Sequence, residues 1–219
     1  YINITFKYES DLLCGDEQVG IDLGMKDTAT TSNGDTLNLD AVKLIQTRIS
    51  KLQSNSTRTK KSKKRKIRNM SKYLKYGKKK PKSSKTSNTQ KQIKRLHIKA
   101  NNIKKDKFYK FAYNLVKTNN YIAIGDVSGF LKGPMAKSRY RNSWSKLITI
   151  LEAKAIEFQS VLDIVSEKNS TQMCNVCKSI EGPKGLKELG VRNWICSCGA
   201  ELNRDINAAI NILNFGLGL

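Results

Sequence analysis

The sequence predicts a mixed α/β fold carrying a metal-stapled knuckle and a basic helical insertion, and three observations lead there. Short strand-like apolar runs near residues 18–22, 121–126 and 162–165 are separated by stretches of helical period. Four cysteines stand in two close pairs, Cys174-Asn-Val-Cys177 and Cys196-Ser-Cys198. The formal net charge is +23 over 219 residues, and residues 54–92 are dominated by Ser, Thr, Lys and Arg.

Taken in order, residues 1–8 alternate apolar and polar and read as a strand. The chain starts at Tyr1 rather than Met, and this strand has no earlier partner, so the sequence reads as part of something longer with an upstream domain missing. Gln18 to Thr31 reads as a strand, a turn and a further strand. Asn33-Gly34 is a hairpin signal, and Thr36 to Leu39 continues the sheet. From Ala41 the period turns helical, through Val42, Leu44, Ile45, Ile49 and Leu52. The basic stretch 54–92 reads as a solvated, disordered arm in the free protein that orders on phosphates, with Tyr73 and Tyr76 as possible stacking rings. Helical period resumes over 91–116, carried by Ile93, Leu96, Ile98, Ile103, Phe108, Phe111, Ala112 and Leu115, so the arm sits in a helical hairpin inserted between strands. His97, the only histidine, reads as a helix-surface or nucleic-acid contact. Tyr121 to Asp126 is a buried strand, and Gly129, Gly133 and Pro134 mark a loop. A helix follows from Trp144 to Val161, with Trp144, Leu147, Ile148, Leu151, Ala155 and Phe158 on one face. Leu162 to Val165 is another strand, and a helix from about Ile206 to Leu213 closes the order.

The cysteine spacing suits a tetrahedral zinc site, because zinc prefers thiolates and four-coordination. Cys174, Cys177, Cys196 and Cys198 are the expected ligands, and the Cys-x-Cys pair demands a tighter turn than Cys-x-x-Cys. Disulfides suit small secreted chains, and no signal peptide is evident. Cys14 stands alone far upstream and reads as a free thiol. The excess of positive charge points to a polyanion, and nucleic acid gains from counterion release on binding. A membrane-surface role would need an apolar face beside the basic one, which the densest run, Lys60 to Lys66, lacks. No apolar run is long enough to span a bilayer.

Asp22 lies within Val-Gly-Ile-Asp-Leu-Gly, where an acid is costly unless paired or metal-bound. Gly20 and Gly24 keep the backbone open around it. Asp205 opens the last helix, where a carboxylate is also favoured by the helix dipole. Beside a basic surface, these acids suggest divalent metals held between carboxylates for phosphodiester cleavage.

Gly20-Ile-Asp22-Leu-Gly24, Ser170 to Cys177, Pro183 to Gly190, and Arg204-Asp205-Ile-Asn-Ala-Ala-Ile-Asn-Ile-Leu213 together resemble the OrfB/TnpB family, transposon-encoded proteins similar to type V CRISPR effector nucleases. The resemblance covers the chain outside the basic arm. It implies a RuvC-like, ribonuclease H fold with an inserted zinc ribbon, and RNA-guided, magnesium-dependent cleavage of DNA. Asp22 and Asp205 match the first and third catalytic acids. The second acid departs from the pattern, since the family's usual Glu-Asp at the end of the middle strand is here Gly125-Asp126. Asp126 is one alternative, although a one-residue step turns it to the other strand face. Glu167, just after the strand at 162–165, is the preferred one. Cys196-x-Cys198 is also one residue shorter than the usual ribbon pair.

The resulting expectation is a metal-dependent DNA endonuclease using Asp22, Glu167 and Asp205 on magnesium and the four cysteines on zinc. Its partners are a DNA target and a guide RNA, with no membrane, in the cytoplasm. The alternative is an inactive nucleic-acid-binding derivative or truncated remnant. The expected organisation is a wedge remnant at 1–16, nuclease parts at 17–48, 119–169 and 201–219, a basic hairpin at 49–118 and the ribbon at 170–200.

Overall fold

A computed structural model of the chain describes residues 12–70, 84–126, 142–184, 188 and 190–219. The strand expected at residues 1–8, Tyr73, Tyr76 and the loop at Gly129, Gly133 and Pro134 lie outside them. The chain groups into two compact units, Tyr1–Asn38 with Lys107–Leu219, and Leu39–Asp106.

The first unit is built on a five-stranded sheet. Its strands are β1 (Glu17–Asp22), β2 (Ala29–Thr31), β3 (Thr36–Leu37), β4 (Asn119–Gly125) and β5 (Val161–Val165), in the order β3-β2-β1-β4-β5. The β1–β2 and β2–β3 pairs are antiparallel, and the β1–β4 and β4–β5 pairs are parallel. Gly34, at φ 92, turns the hairpin between β2 and β3 that Asn33-Gly34 announces. Val19 to Asp22 and Ile122 to Gly125 are buried at every position, which explains why β1 and β4 read as continuous apolar runs rather than alternating ones.

Four helices complete the described fold: α1 (Asp40–Met70), α2 (Ser84–Thr118), α3 (Trp144–Phe158) and α4 (Arg204–Leu217). Helix α3 buries Trp144, Leu147, Ile150, Leu151, Ala155 and Phe158, so Ile150 takes the core place expected of Ile148. Helix α4 lies against β1 and β4. A Cβ on Gly20 would stand 2.0 Å from Ala209 O and 2.8 Å from Leu213 N, so the strand and helix backbones touch where only a hydrogen fits. Gly20 thus makes room for the helix rather than for Asp22. Ala208, Ala209 and Ile212 of α4 are buried with Val19, Ile21, Ile122, Ile124 and Leu147 in the core of this unit.

In the second unit the basic stretch departs from expectation. Instead of a disordered arm, its described part is helical, in α1 as far as Met70 and in α2 from Ser84. Residues 54–70 contain no Gly or Pro, and their Lys and Arg are good helix formers, so low hydrophobicity does not oppose the helix. Val42, Ile49 and Ala100 are buried, whereas Leu44 and Ile98, counted on the apolar faces, are exposed. His97 is exposed on α2, as a helix-surface reading requires. No helix among the described residues is long and apolar enough to cross a membrane.

Candidate metal centres

The parallel register brings the C-terminal ends of β1, β4 and β5 to one edge of the sheet, with Ile21 beside Ile124 and Gly125 beside Val165. Asp22 ends β1 and is only 7% exposed. Glu167 follows β5 by two residues and is half-buried. A Cβ on Gly125 would lie 3.0 Å from Glu167 Oε2 and 3.3 Å from Glu167 Cβ. The Glu167 side chain therefore occupies the room left by the missing side chain on the middle strand. Asp126 is exposed, and its N–H donates to Val165 O at 2.7 Å.

The third carboxylate comes from α4. Asn203 caps this helix, its side-chain oxygen accepting from the N–H groups of Asp205 (3.1 Å) and Ile206 (3.3 Å). Asn203 is thus the cap, and the Asp205 carboxylate, in the first turn where the helix dipole favours it, is left for other partners. It accepts from Arg192 Nη1 through both oxygens, at 2.6 and 2.5 Å. Arg192 was not singled out from the sequence, where it is one basic residue among many. Its backbone oxygen also accepts from the N–H of Arg204 at 2.7 Å, which ties the start of α4 to the segment just before Asn193.

Burial, then the charge of Asp205, pushes the Asp22 carboxyl up from 3.8 to about 7, against the opposing pull of Arg204 and Arg192. Burial, then Asp22 and Asp126, pushes Glu167 up from 4.5 to about 8. Asp22 is thus within electrostatic reach of both Asp205 and Glu167, and Asp126 acts on Glu167 as well. An all-carboxylate set in which Asp22 and Glu167 are both pushed up fits a hard divalent cation such as magnesium, which would supply the missing positive charge.

The four cysteines form a second cluster. Sγ atoms of Cys174, Cys177, Cys196 and Cys198 all lie within 4.8 Å of one another. Four thiolates at about 2.3 Å from a tetrahedral zinc are about 3.8 Å apart. Cys174 and Cys198 stand 3.8 Å apart and Cys177 and Cys196 3.5 Å apart, so the donor set fits zinc in chemistry and in size. Gly199, at φ 85, supplies the tight turn after the short pair, its N–H donating to Cys196 O at 2.8 Å. Hydrogen bonds from the Ser179 hydroxyl and backbone draw the Cys177 thiol down to about 6, favouring the thiolate that a metal needs. Cys14 is a free thiol, apart from this cluster, as expected.

The knuckle carries a two-stranded sheet, β6 (Asn193–Ile195) with β7 (Glu201–Asn203), and is fastened to α4 by two asparagines. Asn207 Nδ2 donates to Met173 O at 2.8 Å and its Oδ1 accepts from Asn175 N–H at 2.9 Å. Asn211 Nδ2 donates to Met173 O at 2.7 Å and Ser170 O at 2.9 Å. Both are buried, one helical turn apart, on the helix that presents Asp205. Sequence reasoning missed them, although two amides at i and i+4 among Ala and Ile were a visible signal.

Fold and site together define a mixed α/β protein in which a cysteine knuckle precedes the last helix of an acid-edged sheet. Residues 144–212 match the family model described as the Cas12f1-like TNB domain. A Streptomyces pristinaespiralis protein, provisionally named an RNA-guided DNA endonuclease, is 32% identical over 132 residues, which is 58% of this chain and 32% of that protein. A TnpB-like protein of Acanthamoeba polyphaga mimivirus is 29% identical over 136 residues, covering 57% of this chain and 25% of its own length. Among solved structures, Cas12f1 in complex with sgRNA and target DNA superposes with a TM-score of 0.55 at 15% identity, over 90% of this chain and 49% of that one. Over these stretches the chain is similar to TnpB-like proteins and to the Cas12f1-like family model. It spans about a third or less of the length of these curated relatives.

Proposed function

We propose that this chain is the nuclease portion of a metal-dependent DNA endonuclease that is guided by RNA in its complete form. The convergence of Asp22, Glu167 and Asp205 at one sheet edge carries this reading. The sheet order β3-β2-β1-β4-β5, with its antiparallel hairpin and parallel half, supports a ribonuclease H-like, RuvC-type assignment. Names of the relatives and the subject of the Cas12f1 complex support DNA and RNA as partners.

Asp22, Glu167 and Asp205 would hold magnesium, with Asp126 as the alternative second acid. Bound divalent cations at such a site supply an activated water and charge stabilisation for the leaving oxygen of a phosphodiester. The chain's own contribution is placement. Asp22 is fixed by the buried β1, Asp205 by the Asn203 cap, and Glu167 by the space over Gly125. Cys174, Cys177, Cys196 and Cys198 would hold a structural zinc that keeps the ribbon against α4. Lysines and arginines of the helical hairpin would neutralise phosphates.

The test is cleavage of labelled single-stranded DNA with and without magnesium, beside Asp22→Ala and Glu167→Ala. Magnesium-dependent cutting lost in both variants, with affinity for DNA nearly intact, is the expected result. Cutting lost only with Asp22→Ala would move the second acid to Asp126. One observation favours a binding-only derivative: Arg192 engages both oxygens of Asp205. Tight, salt-sensitive binding with no cutting in either metal condition would favour that reading, or a nuclease portion that cuts only together with a guide-holding region.

A further inference from the structure

Helix α2 presents two faces in its last three turns. Phe108, Ala112, Leu115 and Val116, which belong to the first unit, are buried. Tyr109 and Tyr113, one turn apart at i and i+4, point the other way and remain 42% and 44% exposed. Large rings left this open are ordinary when scattered singly. Here they are neighbours, and with Lys110, Asn114 and Lys154 they line one shallow depression of about 480 Å³. Tyr113 meets Phe158 of α3 edge to face, with ring centroids 5.5 Å apart and planes at 85°, so its orientation is fixed rather than free to collapse on the helix. Lys154 is steadied by an ion pair with Glu157 at 2.5 Å. None of the carboxylates of the candidate metal site lines this depression.

We infer that the Tyr109–Tyr113 groove is a stacking platform for single-stranded nucleic acid, separate from the acid cluster. Aromatic faces take up unstacked bases of any sequence, and flanking ammonium groups track the phosphates between them. A groove of mainly apolar rings rimmed by lysine suits that ligand better than a duplex, whose bases are already stacked. The chain's net charge of +23 supplies attraction for any polyanion, whereas the paired rings supply the preference for single strands.

The experiment is equilibrium binding of the whole chain, in EDTA so that cleavage plays no part, to labelled oligothymidylate, oligouridylate and a duplex of mixed sequence. Tyr109→Ala leaves the Tyr113–Phe158 contact in place and should weaken single-strand binding by roughly tenfold, while Tyr109→Phe should retain it. Lys110→Ala should instead lower the slope of log affinity against log salt by about 0.7. Loss on the uridylate alone would assign the groove to RNA, loss on the thymidylate alone to DNA, and loss on both to single strands at large. Each of these supports the platform. No loss with Tyr109→Ala, or an equal loss on the duplex, would overturn it. A chain that never cuts but shows the tyrosine effect would count against the nuclease reading and leave the platform standing.

Discussion

Replacing Gly125 tests whether Glu167 truly fills the place of the missing acid. A methyl group at position 125 would stand 3.0 Å from Glu167 Oε2, 3.1 Å from Ile212 Cδ1 and 3.3 Å from Glu167 Cβ, tighter than ordinary van der Waals contact. Overpacking of this kind costs about 1–3 kcal/mol. Exchanging a strand glycine for alanine returns about 0.5–1 kcal/mol of backbone entropy. Gly125→Ala should therefore destabilise by about 1 kcal/mol. In a Glu167→Gly background both Glu167 atoms are gone and only the contact with Ile212 remains, so most of that cost should vanish. The two changes should then show a coupling of about 1 kcal/mol in a double-mutant cycle measured by urea unfolding in EDTA. Additivity within about 0.3–0.5 kcal/mol would refute the packing argument. The functional counterpart is Gly125→Glu with Glu167→Ala, which moves a carboxylate to the middle strand. It should cut in magnesium better than Glu167→Ala alone, and failure there with the coupling intact would fault the catalytic role rather than the geometry.

Asp22 and Glu167, raised from 3.8 to about 7 and from 4.5 to about 8, hold protons in the folded chain that the unfolded chain releases. Their contribution therefore falls as pH rises from about 4 to about 8. Without divalent metal, Asp22→Asn should gain urea resistance relative to the parent as pH rises through that window, and magnesium should restore the parent at pH 8; a parent that gains on the variant instead would reverse the sign. The chain should bind one zinc through Cys174, Cys177, Cys196 and Cys198, and Cys174→Ser should lose it, as metal analysis by mass spectrometry would report. Asn211→Ala removes donors to Ser170 O and Met173 O and should cost about 1–3 kcal/mol. Amide exchange over residues 170–175 should quicken, and unchanged exchange would show that Asn211 does not anchor the knuckle.

Much of the site was legible because it is written in local chemistry. An aspartate inside an apolar strand, paired cysteines and a helix entered through Asn203-Arg-Asp205 each carry their meaning in neighbouring residues. The helical arm was less legible, since its lysines and arginines are compatible with both solvated coil and exposed helix, and composition favours the former. The hold of Arg192 on Asp205, the partners of the Asn207–Asn211 pair and the way Glu167 fits over Gly125 were unreadable for another reason. Each is a contact between positions 13 to 42 residues apart, set by packing that no local pattern records. Gly125 in particular looks like a loss in the sequence and a vacancy already filled in the fold.

The contact between Gly20 and Ala209 has a consequence in time. During synthesis β1 emerges first and helix α4 last among the described elements, so the floor against which β1 packs is absent for most of translation. Contacts this distant in sequence also form late, because a long loop must close before they repay its entropy. The basic helices α1 and α2 leave the ribosome well before then. Under the proposed function, the nascent chain would therefore present its basic helices to nucleic acid while Asp22 and Asp205 are still apart, and the acids meet only once α4 docks.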